Sequence, residues 1–359
     1  MQIGKPLQII FFIIIGLIIS SFFLLASNVS PISGILYMLY SGFGTRIGVI
    51  ATLNDSIPMI IVAIAIIIPF TAKFWNIGGQ GQYLVGSIFA TWIGLDLAGS
   101  MPPAIVIMAA LLLSFVGGAL WAFPPTAMKL YFGTNEVITT LMMNFVAVYL
   151  VDYLVSGPME GALQRATHAP SSSTIPSPDQ LFYLHGVNIG IVIAIVIAVA
   201  IFFLIRYTNF GYELRLMGNS NIAAQYAGAP LKRNMFQAML LSGGIAGIAG
   251  MVQVFGLAHA LLLSELSDIT TSFGYVAIPI ALIAFLNPLL TVISAIFFAG
   301  ILNGAYVLEV VYGISLNLVI IIYGLIMIFA IMGVMINLNR VTKLFRRGRK
   351  NKLVEAAKN

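Results

Sequence analysis

The chain of 359 residues has no cysteine, three histidines and only 8% charged residues, against roughly 25% charged in an ordinary soluble domain. Without cysteine there are no disulfides and no thiolate metal sites, although no compartment is identified by that absence. No two of His168, His185 and His259 have metal-ligand spacing, so no metal is assigned. There is no G-x-x-x-x-G-K-[ST] loop to cradle nucleotide phosphates. Acidic residues are also missing from the middle of the apolar runs. Asp55, Asp96, Glu136, Asp152 and Glu309 all lie within a few residues of a run's end. An ionisable group at mid-membrane costs roughly 2.5–3.5 kcal/mol and is retained for function, so this pattern argues against an ion-coupled carrier. No nucleophile, metal cluster or carboxylate pair is spaced for a membrane enzyme.

What is present is apolar. Hydrophobic residues make up 60% of the chain and the mean hydropathy is +1.04. A crossing needs about twenty such residues, and ten runs qualify: 7–26, 51–70, 81–98, 103–123, 137–156, 187–206, 234–257, 273–287, 289–308 and 316–336. Asn287-Pro288 divides the eighth from the ninth, where one long stretch alternatively holds a re-entrant turn. The first run is long enough to span and no small-x-small cleavage site follows it, so it is read as an uncleaved first helix. The expected fold is all-α, a polytopic transmembrane bundle of about ten spans in the cell membrane, covering residues 1–340. A basic tail, 341–359, follows.

Charge orients the bundle. With ten spans and both termini cytoplasmic, fifteen of the seventeen basic residues fall inside, and only Arg46 and Arg165 fall outside. Eight of the fifteen run from Arg340 through the tail, a pattern that anchors a chain to anionic membrane lipid. No aromatic interleaving points to nucleic acid. The outward segments, 27–50 and the Pro- and Ser-rich 157–186, read as solvated loops placed where an extracytoplasmic partner docks.

Small and amide residues interrupt the runs at three places. Asn76-Ile77-Gly78-Gly79-Gln80-Gly81-Gln82 makes a poor straight helix and a good break, whose bare backbone and uncharged amides suit neutral polar solutes such as sugars and nucleosides. The alternative is a cytoplasmic turn with a Gly-rich helix start. Thr134 or Asn135 caps the fifth span, and Thr140 and Asn144 share one of its faces, directed at a pathway or a neighbouring helix. In the seventh span Gly243 and Gly247, with Ala246 and Gly250, have the small-xxx-small spacing of close helix packing or of a dimer seam.

The cytoplasmic interval 206–233 carries Arg206, Glu213, Arg215, Lys232 and Arg233. Within it a short helix is expected. Asn219 or Ser220 caps it, Ile222 through Ala227 supply about two turns, and Gly228 with Pro230 ends it. Such a helix cannot stand alone in water, so membrane helices or a partner must prop it.

Together these stretches resemble the membrane permeases of ABC importers for simple sugars, nucleosides and branched-chain amino acids. The branch that works with basic-membrane-protein-type lipoproteins, associated with nucleosides, is the most similar. The resemblance rests on Asn76 to Gln82, on Gly133 to Asn144, on Gly211 to Arg215 through Ala223, Ala224 and Tyr226 to Gly228, and more weakly on Phe273-Gly274 to Asn287-Pro288. It departs at Gln80, where the family usually has Glu, and at Ala284-Phe285-Leu286, which replaces a Gly-Arg-Asn type of sequence. It implies that Glu213, Arg215, Ser220, Ile222, Ala223, Ala224, Tyr226 and Gly228 form the loop that contacts an ABC ATPase subunit, with Ile222 and Tyr226 entering its groove. Asn76, Gln80, Gln82, Asn135, Thr140 and Asn144 are the substrate-path candidates, and Gly243, Gly247 and Gly250 the packing residues. The implied partners are the ATPase, a second permease and a solute-binding lipoprotein. ATP and Mg belong to the ATPase, and this chain itself binds no cofactor. A pentose or hexose is the alternative cargo, and an ion-coupled secondary carrier the alternative class.

Overall fold

The computed structural model describes residues 5–161, 170–262 and 273–336; Arg165, His168 and the basic tail from Arg340 lie outside the described residues. The chain forms two compact units, residues 1–41 with 304–359, and residues 42–303.

In the first unit, α1 (Lys5–Ser21) runs into a 3-10 turn (Phe22–Ser27) closed by Asn28 at φ 57°. There follow α2 (Pro31–Leu39), the last turns of α12 (Pro288–Tyr312) and α13 (Leu316–Met335). Helices α1 and α13 pair antiparallel. Gly16 abuts Phe329, Gly333 abuts Ile9, and the Gln8 side-chain amide donates to Gly333 O at 3.0 Å. The start of α1 and the end of α13 therefore lie at the same end of the unit. Part of the segment expected to be solvated is helical instead. Pro31 at the first helical position starts α2, and a π turn (Tyr40–Gly44) follows it.

The second unit is built around α3 (Arg46–Thr71), which begins at a Thr45 cap bonded to Gly48 N–H and is wholly enclosed from Ile57 to Ile68. Around it lie α4 (Gly79–Asp96), α5 (Pro103–Phe132), α6 (Glu136–Val155), α7 (Gly190–Tyr207), α8 (Asn209–Asn219), α9 (Asn221–Tyr226), α10 (Leu231–Val252), α11 (Phe273–Ile283) and the first part of α12. A π segment, Gln253–Ala258, extends α10 and stops at His259, φ 57°.

Eight of the described helices are long and apolar enough to cross a membrane, against the ten runs expected from hydropathy. The other two runs became α4 and α11. Helix α4 is buried among its neighbours over most of its 18 residues, and its Gly- and amide-rich start dilutes its apolarity. Helix α11 has 11 residues, a rise of about 17 Å, half of a hydrocarbon core. It ends in a turn in which Phe285 and Leu286 both adopt positive φ, 54° and 56°.

Helix α10 lies between α4 and α5 without intervening side chains. A Cβ on Gly247 would sit 2.1 Å from Ser114 O, one on Gly243 2.5 Å from Gly118 O, and one on Gly250 2.3 Å from Tyr83 O. These three glycines face helices of the same chain, which leaves that face no room for a second copy. Gly247→Val is therefore expected to lower stability by about 3 kcal/mol or more, because two backbones must separate. Gly324→Ala, which meets nothing within 4 Å, should leave the melting temperature of the detergent-solubilised protein unchanged, and equal melting of the two variants would contradict the packing.

The described part of 157–186 is a loop with many exposed residues, as its Pro and Ser content suggests, but part of it is buried. It is stitched to the end of α10. Ser172 N–H donates to Leu261 O, Ile175 N–H to His259 O and Leu181 N–H to Phe255 O, at 2.9, 2.7 and 2.8 Å. Ser171, Ser172 and Asp179 are buried. A two-stranded hairpin, β1 (Tyr183–Leu184) and β2 (Val187–Asn188), turns at His185-Gly186, where both φ are positive. Partial burial raises the Tyr183 hydroxyl above the usual tyrosine range, against the lowering effect of Asn188. At neutral pH it stays protonated and donates to Gly256 O.

Candidate functional site

The interval between α7 and α10 folds as a compact foot. Thr208 leaves the helical region and its hydroxyl accepts from Gly211 N–H at 3.1 Å, which starts α8 at once after α7. Ser220 does the same for α9, accepting from Ala223 N–H at 3.3 Å. Gly228, at φ 80°, closes α9 in a Schellman arrangement, with Ala229 N–H on Ala224 O and Gly228 N–H on Gln225 O, both at 3.0 Å. Of the two expected caps, Ser220 is the one used.

Helix α8 supplies the support that so short a helix needs. Gly211, Leu214, Met217 and Gly218 form its buried face. A Cβ on Gly211 would lie 2.3 Å from Leu204 O of α7, and one on Gly218 2.1 Å from Thr71 O of α3. Two bare helix turns thus rest on the ends of two other helices. Glu213 is tied to α10, its carboxylate accepting from Asn234 Nδ2 at 2.5 Å. Arg215 donates to Ile205 O, one of the carbonyls left open at the end of α7.

Helix α9 stands on this base. Ala224 is its buried residue, while Ser220, Ala223 and Gly228 are exposed. Ile222 is 69% and Tyr226 90% exposed. Four residues apart, they share a face of α9. A large apolar pair is thus held outward on a capped, propped helix.

The second constellation is the break between α3 and α4. Lys73, at φ 55°, ends α3, with Phe74 N–H on Pro69 O at 3.0 Å. Asn76 then organises the turn. Its Oδ1 accepts from Gly78 N–H at 2.9 Å and Gln82 Nε2 at 3.2 Å, and its Nδ2 donates to Gln82 Oε1 and Ser242 Oγ, both at 3.0 Å. Asn144 of α6 spans the same turn, accepting from Gly81 N–H at 2.8 Å and donating to Ile77 O at 2.9 Å and Tyr275 Oη at 3.1 Å. The Thr140 hydroxyl accepts from Ile77 N–H at 3.2 Å, and Gln80 Oε1 accepts from Gly274 N–H at 2.8 Å.

The structure therefore brings together five of the six substrate-path candidates, Asn76, Gln80, Gln82, Thr140 and Asn144, and buries all five. In this conformation their amides are spent on the open backbone groups of the break and on one another. The sixth, Asn135, lies apart. It is exposed and caps α6 by accepting from Val137 N–H at 3.0 Å, beside the Lys129–Glu136 ion pair at 2.8 Å.

Ser242, Tyr275 and Gly274 complete the amide cluster, and Gly218 completes the foot, yet none of the four is a site candidate in the sequence. Their partners are 166, 131, 194 and well over a hundred residues away along the chain, so no local spacing reports them.

Residues 48–331 match the family described as branched-chain amino acid transport system / permease component. Among similar proteins, the guanosine ABC transporter permease protein NupP of Bacillus subtilis is 30% identical over 88% of this chain and 90% of its own length. The glucose ABC transporter permease protein TsgB13 of Haloferax volcanii is 28% identical over 86% and 82%. The nucleoside ABC transporter permease protein NupB of Lactococcus lactis is 25% identical over 82% of each chain. With most of its length matched and its helices apolar enough for repeated crossing, the chain is a multi-pass plasma-membrane protein belonging to the branched-chain amino acid transport system / permease component family of ABC importers.

Proposed function

We propose that this chain is the permease subunit of an ATP-driven nucleoside importer. It forms the translocation path with a second permease and is moved by a separate ATPase that holds ATP and Mg, while a lipoprotein delivers solute outside. Both termini and the foot lie in the cytoplasm, as the positive-inside distribution favours. The observation that carries the reading is the exposed Ile222–Tyr226 pair on α9, set on a base that is flush with the ends of α3 and α7. An ATPase gripping that pair would move two membrane helices directly. Alternating access then follows as the bundle rocks between its two states.

The nucleoside assignment draws on the guanosine and nucleoside permeases among the relatives, and the glucose permease supports a sugar as the second reading. Uptake of labelled guanosine in cells making this chain with its partner subunits separates them. Unlabelled inosine or adenosine is expected to suppress uptake, with ribose and galactose at equal concentration ineffective. Competition by the sugars alone would replace the cargo. Loss of uptake with a protonophore while ATP is maintained would replace the class.

A further inference from the structure

Beside the foot lies a groove of about 520 Å3 formed by Phe202, Ile205 and Arg206 of α7, Arg215 of α8, and the turn from Phe285 to Pro288. Its polar lining is dominated by two guanidinium groups. Neither has a carboxylate partner among the described residues. Arg206 stands 5.8 Å from the centre of the Phe202 ring, and Arg215 is steadied by Ile205 O. Glu213, two residues from Arg215, is turned away to Asn234. Asn287 accepts from Leu289 N–H at 3.0 Å through Oδ1, which leaves its amide donors for the groove. A guanidinium offers five N–H donors in a planar fork, so the two arginines retain most of theirs.

The rim of the groove is apolar. Phe203 and Tyr207 on α7, and Phe285, Leu289, Leu290 and Ile293 on the other side, are large, apolar and exposed. A cationic site at the end of a membrane helix, rimmed by apolar side chains, meets an amphiphile with its charged group at the arginines and its chains on the rim. We propose that this groove binds the phosphate of an anionic phospholipid headgroup, clamped between Arg206 and Arg215. The lipid is held against the foot at the joint between α7, α8 and the α11–α12 turn. The assignment does not depend on which solute is carried or on how the ATPase docks.

The test is lipid retention by the purified full chain in detergent, read by native mass spectrometry after exposure to mixed phosphatidylglycerol and phosphatidylcholine vesicles. Wild type should retain phosphatidylglycerol preferentially. Arg206→Gln with Arg215→Gln should lower that retention about tenfold or more, as loss of charge-assisted hydrogen bonds predicts. Arg206→Gln alone spares the Arg215–Ile205 contact, so it is the variant to rely on should the double variant fail to fold, and it should show a partial loss. Lys232→Gln with Arg233→Gln, in the same interval but outside the groove, should retain lipid as wild type does. Equal loss in that control, or no preference in wild type, overturns the site. Binding of inorganic phosphate alone at millimolar concentration, lost in the Arg206→Gln variant, would uphold the phosphate clamp and overturn the lipid as its source. Loss of ATPase association with lipid retention unchanged would overturn the proposal in favour of a protein contact.

Discussion

Tyr226→Asp is expected to abolish uptake while leaving the amount of membrane-inserted protein unchanged. Tyr226 is 90% exposed, and its backbone lies in a helix held by Ser220, Ala224 and Gly228 rather than by its own ring. Removing an exposed ring changes chain stability by at most about 0.5 kcal/mol. In an apolar partner groove, however, a carboxylate must be dehydrated without a counter-charge, which costs several kcal/mol and lowers affinity by two orders of magnitude or more. Co-purification of the ATPase with this chain should therefore fail together with uptake. Ile222→Asp should behave alike, since it occupies the same face. Normal uptake in both variants would remove α9 from the coupling role, whereas loss of uptake with loss of protein from the membrane would point to folding instead.

Asn76→Leu is expected to act through stability. The side chain makes four hydrogen bonds, to Gly78, Gln82 twice and Ser242, with no exposed surface. Leucine leaves the Gln82 amide and the Gly78 N–H buried without partners. At about 1–3 kcal/mol for each unsatisfied group, the total reaches a large part of the stability of a folded unit. The melting temperature of the purified chain should fall sharply, and most of the protein should be degraded in cells. Were Asn76 instead a solute contact, the variant would melt as wild type and lose only solute affinity. A thermal melt beside an uptake assay distinguishes the two, and Asn144→Leu, which strips the opposite side of the same turn, gives an independent repeat.

The elements legible in the sequence are those whose determinants are local. Ser220, the two turns after it and Gly228 lie within nine residues, so the cap, the length and the stop of α9 all follow from neighbours. Asn135 as a cap follows in the same way, and so does the alternative reading of Asn76–Gln82, a turn with a Gly-rich helix start, since Gly79 to Gln82 open α4. The function of the break does not. Uncharged amides suit a polar solute and an interrupted helix equally, and only Ser242, Asn144, Thr140 and Gly274, delivered by three other helices, show how the amides are used here. Hydropathy likewise counts the run 273–287 as a crossing because it registers apolarity, whereas the 11-residue length of α11 depends on the fold. Composition misleads at two positions of 157–186, where serine signals water but Ser171 and Ser172 are buried against Leu261 and Leu262.

Gly211 and Gly218 set the mechanical character of the foot. A joint packed through long side chains has slack, since each rotamer can flip and absorb an ångström of displacement before anything else moves. At Gly211 and Gly218, where α8 touches α7 and α3, main chain meets main chain, and these two contacts have no compliant layer, while Leu214 and Met217 fill the rest of the face. At these two points a displacement of α8 would reach the ends of α7 and α3 with no side chain to absorb it. Five residues beyond Thr71 the chain enters the Asn76 turn, which is fixed by hydrogen bonds to α4, α6 and α10.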